Sequence, residues 1–387
     1  MSPHPLDICP EGSSVLRRPD SRRWIAWRLL AGVVLFFALD SLVFRSGLYF
    51  GWVSPPSALG SVAQALDNIR HLPAGRRIVL VLGDSRIGEG FSAQAATAVA
   101  DRLDPSIAFA NGSVGGTSPR VWNYLLRDMR GPTLPLAAVA LMVPSYRDDE
   151  AENPADRRYD IAFVHPLLKL ADAVDFPASF DDLAARQEAA EAMLFKGFFY
   201  KSDVQDFLHA PAARIRDVRA ARLHGHEWVG MYPGRSESLT GITLDLASGH
   251  LTIPAGNAAE SVPTLAPYAE KLSHQRGHPP DNPAAAAYRR EWLGRIATQC
   301  RDAGVKLFVF RIPRGPLHHL LNDETPPEGA LAELARAGAL EVLPPSLLAP
   351  LERPEFFFDD LHVNAAGRAR LSAVLAEAVL HRLTAKD

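Results

Sequence analysis

Residues 78–86 read IVLVLGDSR: five consecutive apolar residues, Ile78–Leu82, followed by Gly83, Asp84, Ser85 and Arg86. A continuous apolar run closed by a turn residue is the pattern of a strand buried on both faces in a parallel sheet, not the alternation of a half-exposed strand. Such a strand needs parallel neighbours and helices to cover them, and the flanking sequence supplies both. Ala93–Leu103 has helical periodicity, Ile107–Ala110 reads as a second strand, and Pro119–Met129 as a helix with proline in its first turn. Ala137–Val143 is a third strand, ending at Pro144. Far downstream, Ala284–Ala303 is a long helix stopped by Gly304, and Val305–Ile312 is a fourth strand ending at Pro313. Leu340–Leu343 makes a short fifth strand, and Asn364–Leu383 a terminal amphipathic helix. This alternation predicts an α/β fold, a three-layer α/β/α sandwich around a mainly parallel sheet. In such sheets the ligand crevice lies beyond the C-terminal ends of the strands, where Gly83–Arg86 falls.

The chain of 387 residues is 47% hydrophobic and 22% charged, a globular composition with ample material for a core. Its net charge of −3 removes the electrostatic argument for nucleic acid, which needs a basic face to displace counterions from phosphates. The 31 prolines point to long ordered loops. With only Cys9 and Cys300, neither a disulfide framework nor a cysteine-rich zinc site is available. Cys300 shares a helical stripe with Trp292 and Ile296 and reads as a buried, unreactive thiol. The His318-His319 and His224-x-His226 spacings lack further ligands at helical spacing, and no phosphate-binding glycine loop follows a strand, so neither a metal nor a nucleotide cofactor is implied.

One segment departs from the soluble pattern. Residues 24–44 read WIAWRLLAGVVLFFALDSLVF, about 30 Å long as a helix at ~1.5 Å per residue. Arg28 near its start and Asp40 near its end confine the uninterrupted apolar stretch to Leu29–Leu39. The whole segment spans a bilayer if both charges lie at the interfaces, where Trp24, Trp27, Tyr49 and Trp52 supply aromatic belts. Arg17, Arg18, Arg22, Arg23 and Arg28 precede the apolar core and Arg45 alone follows, so the positive-inside rule keeps residues 1–23 cytoplasmic. The rest is then a single-pass inner-membrane protein on the periplasmic or extracellular side. A cleaved leader and a buried core helix are the alternatives, and no small-x-small cleavage site closely follows the apolar core.

Residues 45–75, with Pro55-Pro56 and Pro73, read as a linker carrying one short helix, Ser61–Ile69. The main domain then occupies residues 76–387, interrupted by an insertion over 149–283. That insertion is helical at Phe180–Leu194 and Val204–Leu223, and His226–Ile253 reads as a small β-hairpin region with turns at Pro233-Gly234 and Ser248-Gly249. It is a candidate lid or polymer-binding surface over the crevice.

Two short motifs carry chemistry. Ser85 stands on the first turn after a buried strand, exposed at the crevice mouth, with its own backbone N–H available to a substrate oxygen; a turn with a capping serine is the plainer alternative. Near the other end, Asp359-Asp360-Leu361-His362 precedes the terminal helix. A carboxylate three positions before a histidine accepts from one imidazole nitrogen and leaves the other facing outward. A serine hydroxyl becomes a good nucleophile only when a base takes its proton, and that base must be held in the right tautomer by a third group.

Together the motifs resemble the GDSL/SGNH hydrolase family, whose first block carries Gly-Asp-Ser and whose last is Asp-x-x-His. The resemblance covers Ile78–Pro144 and Ala284–Leu383, and the insertion carries none of it. It implies Ser85 as nucleophile, His362 as general base and Asp359 as its orienting partner, with Asp360 the second choice. It further implies an oxyanion hole from the N–H of Ser85 and of a glycine after the second strand, matched here by Gly116, with Gly115 one register away. The family's third block is Gly-x-Asn-Asp, whereas this chain has Val143-Pro144-Ser145-Tyr146 and no asparagine at the strand end. Ser145 or Tyr146 is the candidate replacement donor. Arg86 beside the nucleophile, and Arg311 before Pro313, are candidate contacts for substrate.

The resulting expectation is a membrane-anchored serine esterase or O-acyltransferase, for acetyl by the same resemblance, acting on an acylated carbohydrate or polysaccharide of the cell envelope. A membrane partner supplying acyl groups fits that expectation, which needs no cofactor. Because the third-block asparagine is absent, the alternative is a catalytically weak or inactive scaffold, or a glycan-binding protein, of the same fold.

Overall fold

The apolar run Ile78–Leu82 forms the body of a strand whose every apolar residue is buried, so both of its faces are covered. The computed structural model describes residues 21–72, 74–130, 134–149, 153–254, 262–275, 280–321 and 325–384, with side chains except those of 21–23, 226–230 and 262. Most of the expected cytoplasmic tail, including Cys9, Arg17 and Arg18, lies outside these residues.

The strands are β1 (Arg77–Leu82), β2 (Ile107–Asn111), β3 (Leu136–Val143), β4 (Thr243–Asp245), β5 (His250–Thr252), β6 (Lys306–Arg311) and β7 (Glu341–Val342). Five of them form one sheet in the order β2-β1-β3-β6-β7, with every pairing parallel. β1 lies between β2 and β3, so whatever follows Leu82 emerges in the middle of the crevice. β4 and β5 form a separate antiparallel hairpin inside the expected insertion.

The helices before the insertion are α1 (Ser21–Leu39), α2 (Ala58–Arg70), α3 (Ser85–Gly90), α4 (Ala93–Leu103) and α5 (Pro119–Met129). Within the insertion lie α6 (Tyr159–Val164), α7 (Asp175–Ala178), α8 (Leu183–Leu194), α9 (Lys196–Phe199), α10 (Lys201–His209), α11 (Pro211–Met231) and α12 (Val262–His274). The chain ends with α13 (Pro283–Asp302), α14 (Gly329–Arg336) and α15 (Ala365–Thr384). α15 packs on α4 and α3, while α5 packs on α13 and α2. The protein is thus mixed α/β, with a parallel five-stranded sheet and one apolar N-terminal helix. Residues 24–45 form one helical stretch long and apolar enough to cross a membrane, its 18-residue core window having a mean hydropathy of 1.9.

Two expectations about organisation change. Within the expected linker, α2 is longer than expected and buries Val62, Leu66 and Ile69 in the main core. Its start is fixed by Ser57, whose hydroxyl accepts from the Gly60 N–H at 3.0 Å. Insertion residues Phe163, Phe176 and Phe180 enter that same core. α11 also runs on to Met231, so the sheet part of His226–Ile253 is only the β4-β5 hairpin. Pro233-Gly234 lie in the loop after α11, not in a hairpin turn, and only Ser248-Gly249 lies in the hairpin turn.

Candidate active site

Gly83 decides how the chain leaves β1. A Cβ there would sit 2.5 Å from Ile87 Cγ1 and 2.8 Å from Met142 Cγ, so only glycine lets the turn pass between the next helix and β3. Asp84 then caps α3: its carboxylate accepts from the Arg86 N–H at 2.9 Å and pairs with the Arg86 guanidinium at 2.7 Å. Ser85, half-buried, is the first residue of α3.

The histidine comes from a tight loop before α15. Phe357 and Val363 form an antiparallel bridge, and the Phe358 N–H donates to the His362 carbonyl at 3.1 Å. Asn364 pins this loop to the helix, donating to Glu355 O at 2.9 Å and accepting from Gly367 N–H at 3.0 Å. Inside the loop, Asp359 Oδ1 accepts from the backbone N–H groups of Leu361 at 2.8 Å and His362 at 2.5 Å. Its Oδ2 lies 2.9 Å from His362 Nδ1, and His362 Nε2 lies 2.9 Å from Ser85 Oγ. A carboxylate only accepts, so Nδ1 carries the proton and Nε2 is left to accept from the serine hydroxyl. The aspartate on the ring is Asp359.

The electrostatics agree with that tautomer. Burial alone would raise the Asp359 carboxyl, but hydrogen bonds from the His362 ring, the His362 N–H and the Leu361 N–H outweigh it and hold the group below the usual range. Burial alone would lower His362. The hydrogen bond and charge of Asp359, with the nearby charges of Glu89 and Asp84, outweigh it and raise the imidazole above its ordinary value. A histidine of raised pKa beside a serine hydroxyl is a stronger proton acceptor.

The glycine loop after β2 is laced to α3. Asn111 donates to Ile87 O at 3.2 Å and Phe91 O at 3.1 Å, and the Val114 N–H donates to Gly83 O at 3.2 Å. Gly115 lies against Ser85, where a Cβ would stand 3.6 Å from Ser85 Cβ. Gly116 takes the left-handed conformation, φ +73°, and its carbonyl accepts from Arg157. Two cavities border this junction. One of about 500 Å³ is lined by Ser85, Gly115, Asn111, Ser113, Glu89 and His224. The other, about 890 Å³, is lined by Asp84, Arg86, Thr117, Asn153, Arg157 and Tyr159.

Of the expected substrate contacts, Arg86 alone borders either of these two cavities, and there Asp84 takes up its charge. Ser145, Tyr146 and Arg311 line neither of these two. Ser145 Oγ accepts from the Arg147 N–H at 3.1 Å within its own turn. Tyr146 is 1% exposed, donating to Leu343 O at 2.6 Å and accepting from the Arg311 N–H at 3.1 Å, with its phenol pushed up by burial to about 12. Arg311, 5% exposed, donates to Pro345 O at 3.1 Å and lies 3.7 Å from Glu352. Tyr146 and Arg311 therefore knit the ends of β3, β6 and β7 together beneath the surface, as a buried hydroxyl and cation must find partners.

Sequence reasoning passed over Glu89, Asn153, Arg157 and Tyr159 as cavity walls. Their only signal is position, Glu89 four residues past the nucleophile and the others shortly after β3. Protein-family models give no match to the chain, and neither do curated proteins. The chemistry therefore rests on the geometry: an aspartate, an imidazole and a hydroxyl in line, beside a glycine loop and open cavities. That arrangement suits nucleophilic attack by serine on an electrophilic carbonyl.

Proposed function

We propose that this protein is a serine acyl-ester enzyme of the SGNH/GDSL kind, held in the inner membrane by α1 with its domain on the periplasmic or extracellular side. The observation that carries the reading is the unbroken Asp359–His362–Ser85 hydrogen-bond line, which joins residues 277 positions apart at 2.9 Å. Ser85 Oγ attacks the acyl carbonyl while His362 Nε2 takes its proton. The tetrahedral oxyanion is stabilised by the N–H of Ser85 and of the adjoining glycine loop at Gly115-Gly116. His362 then gives the proton to the leaving alcohol. Water or a sugar hydroxyl, deprotonated by His362, attacks the acyl-enzyme and restores Ser85. By the resemblance of the motifs, the acyl group is acetyl and the substrate an envelope carbohydrate or polysaccharide, with a membrane partner as acyl source where transfer is the outcome.

The chain carries no asparagine at the end of β3, and Tyr146 is consumed in packing. Loss of one such side-chain donor costs on the order of 10²–10³ in rate. A slow enzyme follows, and the rival reading is a glycan-binding scaffold with vestigial chemistry. To separate them, the full chain in lipid nanodiscs is treated with a fluorophosphonate and assayed for acetate release from a chromogenic acetate ester. We expect an adduct on Ser85 by peptide mass spectrometry, and loss of both adduct and turnover in Ser85→Ala. Full activity in Ser85→Ala would remove the nucleophile assignment. An unlabelled wild-type protein that binds glycan would favour the scaffold.

A further inference from the structure

Asp40 directly follows the apolar helix α1 and yet is 2% exposed. Its carboxylate accepts from the Arg45 guanidinium at 2.7 Å and from the Gly197 N–H at 2.5 Å. Arg45 also donates to the carbonyls of Met193 at 2.7 Å and Leu194 at 2.9 Å. The exit end of the membrane helix is thus fastened to the corner between α8 and α9. Further back along the helix, the Phe195 ring lies 6.2 Å from both Phe36 and Phe37, so that corner rises alongside the last turns of α1.

Length makes this contact informative. From Trp24 to Leu39 the helix rises about 24 Å at ~1.5 Å per residue. That is roughly 6 Å short of a hydrocarbon core of ~30 Å. The missing depth falls on Asp40–Arg45, where a carboxylate facing lipid is strongly unfavourable. Gly197 and Arg45 shield it. The outer surface of the corner is apolar, with Leu194 57% and Phe198 60% exposed. Lys201 Nζ stands 5.8 Å from the Phe198 ring, and Lys169 is exposed on the loop whose Leu168 carbonyl accepts from Lys196. Aromatic, leucine and lysine side chains together are the chemistry of the headgroup layer, which interfacial elements enter by about 5–10 Å, matching the shortfall.

We propose that the α8–α9 corner is embedded in the headgroup–acyl boundary of the phospholipid leaflet from which α1 emerges. The domain is then held at two points, the span and the corner, and the Ser85 crevice is presented to the envelope in one fixed orientation. This rests on the proposed membrane crossing by α1 and extends it.

The test uses the full chain in phospholipid nanodiscs, with Cys9→Ser throughout. Cys300 is buried and its thiol is pushed up to about 12, so it stays unlabelled. Single cysteines are introduced by Leu194→Cys, Phe198→Cys, Val33→Cys and Leu103→Cys, all at exposed positions, Leu103 standing at the far end of α4. Each is labelled with a small environment-sensitive fluorophore. Quenching is then read with nitroxide-bearing lipids and with aqueous iodide. We expect lipid quenching at positions 194, 198 and 33 to exceed that at 103 severalfold, with iodide showing the reverse. If 194 and 198 follow 103 while 33 is lipid-quenched, the corner stands in water and the inference falls alone. Protection of 194 and 198 from both quenchers would mean a protein partner and would also overturn it. If 33 is not lipid-quenched, the membrane crossing fails and takes the inference with it.

Discussion

At Asp359 one carboxylate makes the largest favourable contribution to raising His362, with Glu89 and Asp84 adding to it. Its bond to Nδ1 fixes the tautomer, and its charge raises His362, so the base is neutral only above the ordinary histidine range near ~6.5. The expected kcat/KM profile therefore falls as pH drops through a point above that value. Asp359→Asn removes the charge that raises the imidazole, so the acid limb should move to lower pH. The amide also favours the wrong tautomer, lowering kcat on the order of 10⁴-fold. Steady-state ester hydrolysis between pH 5 and 9 reads both effects, and an unmoved limb would mean that another group orients the ring. This pair was legible in the sequence because residues three apart in one loop meet whatever the rest of the chain does. Tyr146 and Arg311 were not legible as buried struts, because which side of a strand end a side chain takes is set by its neighbours in the sheet.

At the scale of the element, α3 shows how little helix is needed to present Ser85 to His362 and how much its cap matters. It has six residues, too few for internal hydrogen bonds to hold it, so the bond from Arg86 N–H to Asp84 is a large part of its support. Asp84→Ala should cost about 1 kcal/mol in denaturant unfolding and lower turnover by loosening Ser85. Asp84→Asn keeps a capping oxygen and should retain most of the stability. Equal losses in the two variants would show that the Arg86 ion pair, not the cap, carries the effect. Most helices around the sheet could be placed to within a residue or two, because proline starts, glycine stops and a 3.6-residue stripe are local signals. The stretch expected as one helix over Val204–Leu223 is two, α10 ending at His209 and α11 starting at Pro211 and running on to Met231, and α2 began earlier than expected at the Ser57 cap.

At the scale of the molecule, Asp203 joins what the sequence presents as two separate regions. Placed in the insertion, it accepts from Tyr49 Oη at 2.7 Å, Ser54 N–H at 2.9 Å and Arg214 at 2.9 Å. Asp203→Ala leaves the largely buried Arg214 cation unpaired and should destabilise the chain by about 3–5 kcal/mol. A urea titration of the full chain in detergent checks this; a loss under ~1 kcal/mol would mean that the contact is solvated and weak. The clamp ties Tyr49 and Ser54, in the expected linker, to the insertion.

The sequence by itself determined the parallel sheet and the apolar N-terminal helix, and offered Asp359, with Asp360 second, as the partner of His362. Each depends on hydrophobic periodicity or on contacts within a few residues. Only the tertiary structure decided that Ser85 meets His362, that Gly115 lies against Ser85, and that the insertion grips the end of α1. Those contacts join positions tens to hundreds of residues apart, and no local preference encodes them. They follow from the register of the sheet and the burial of a shared core.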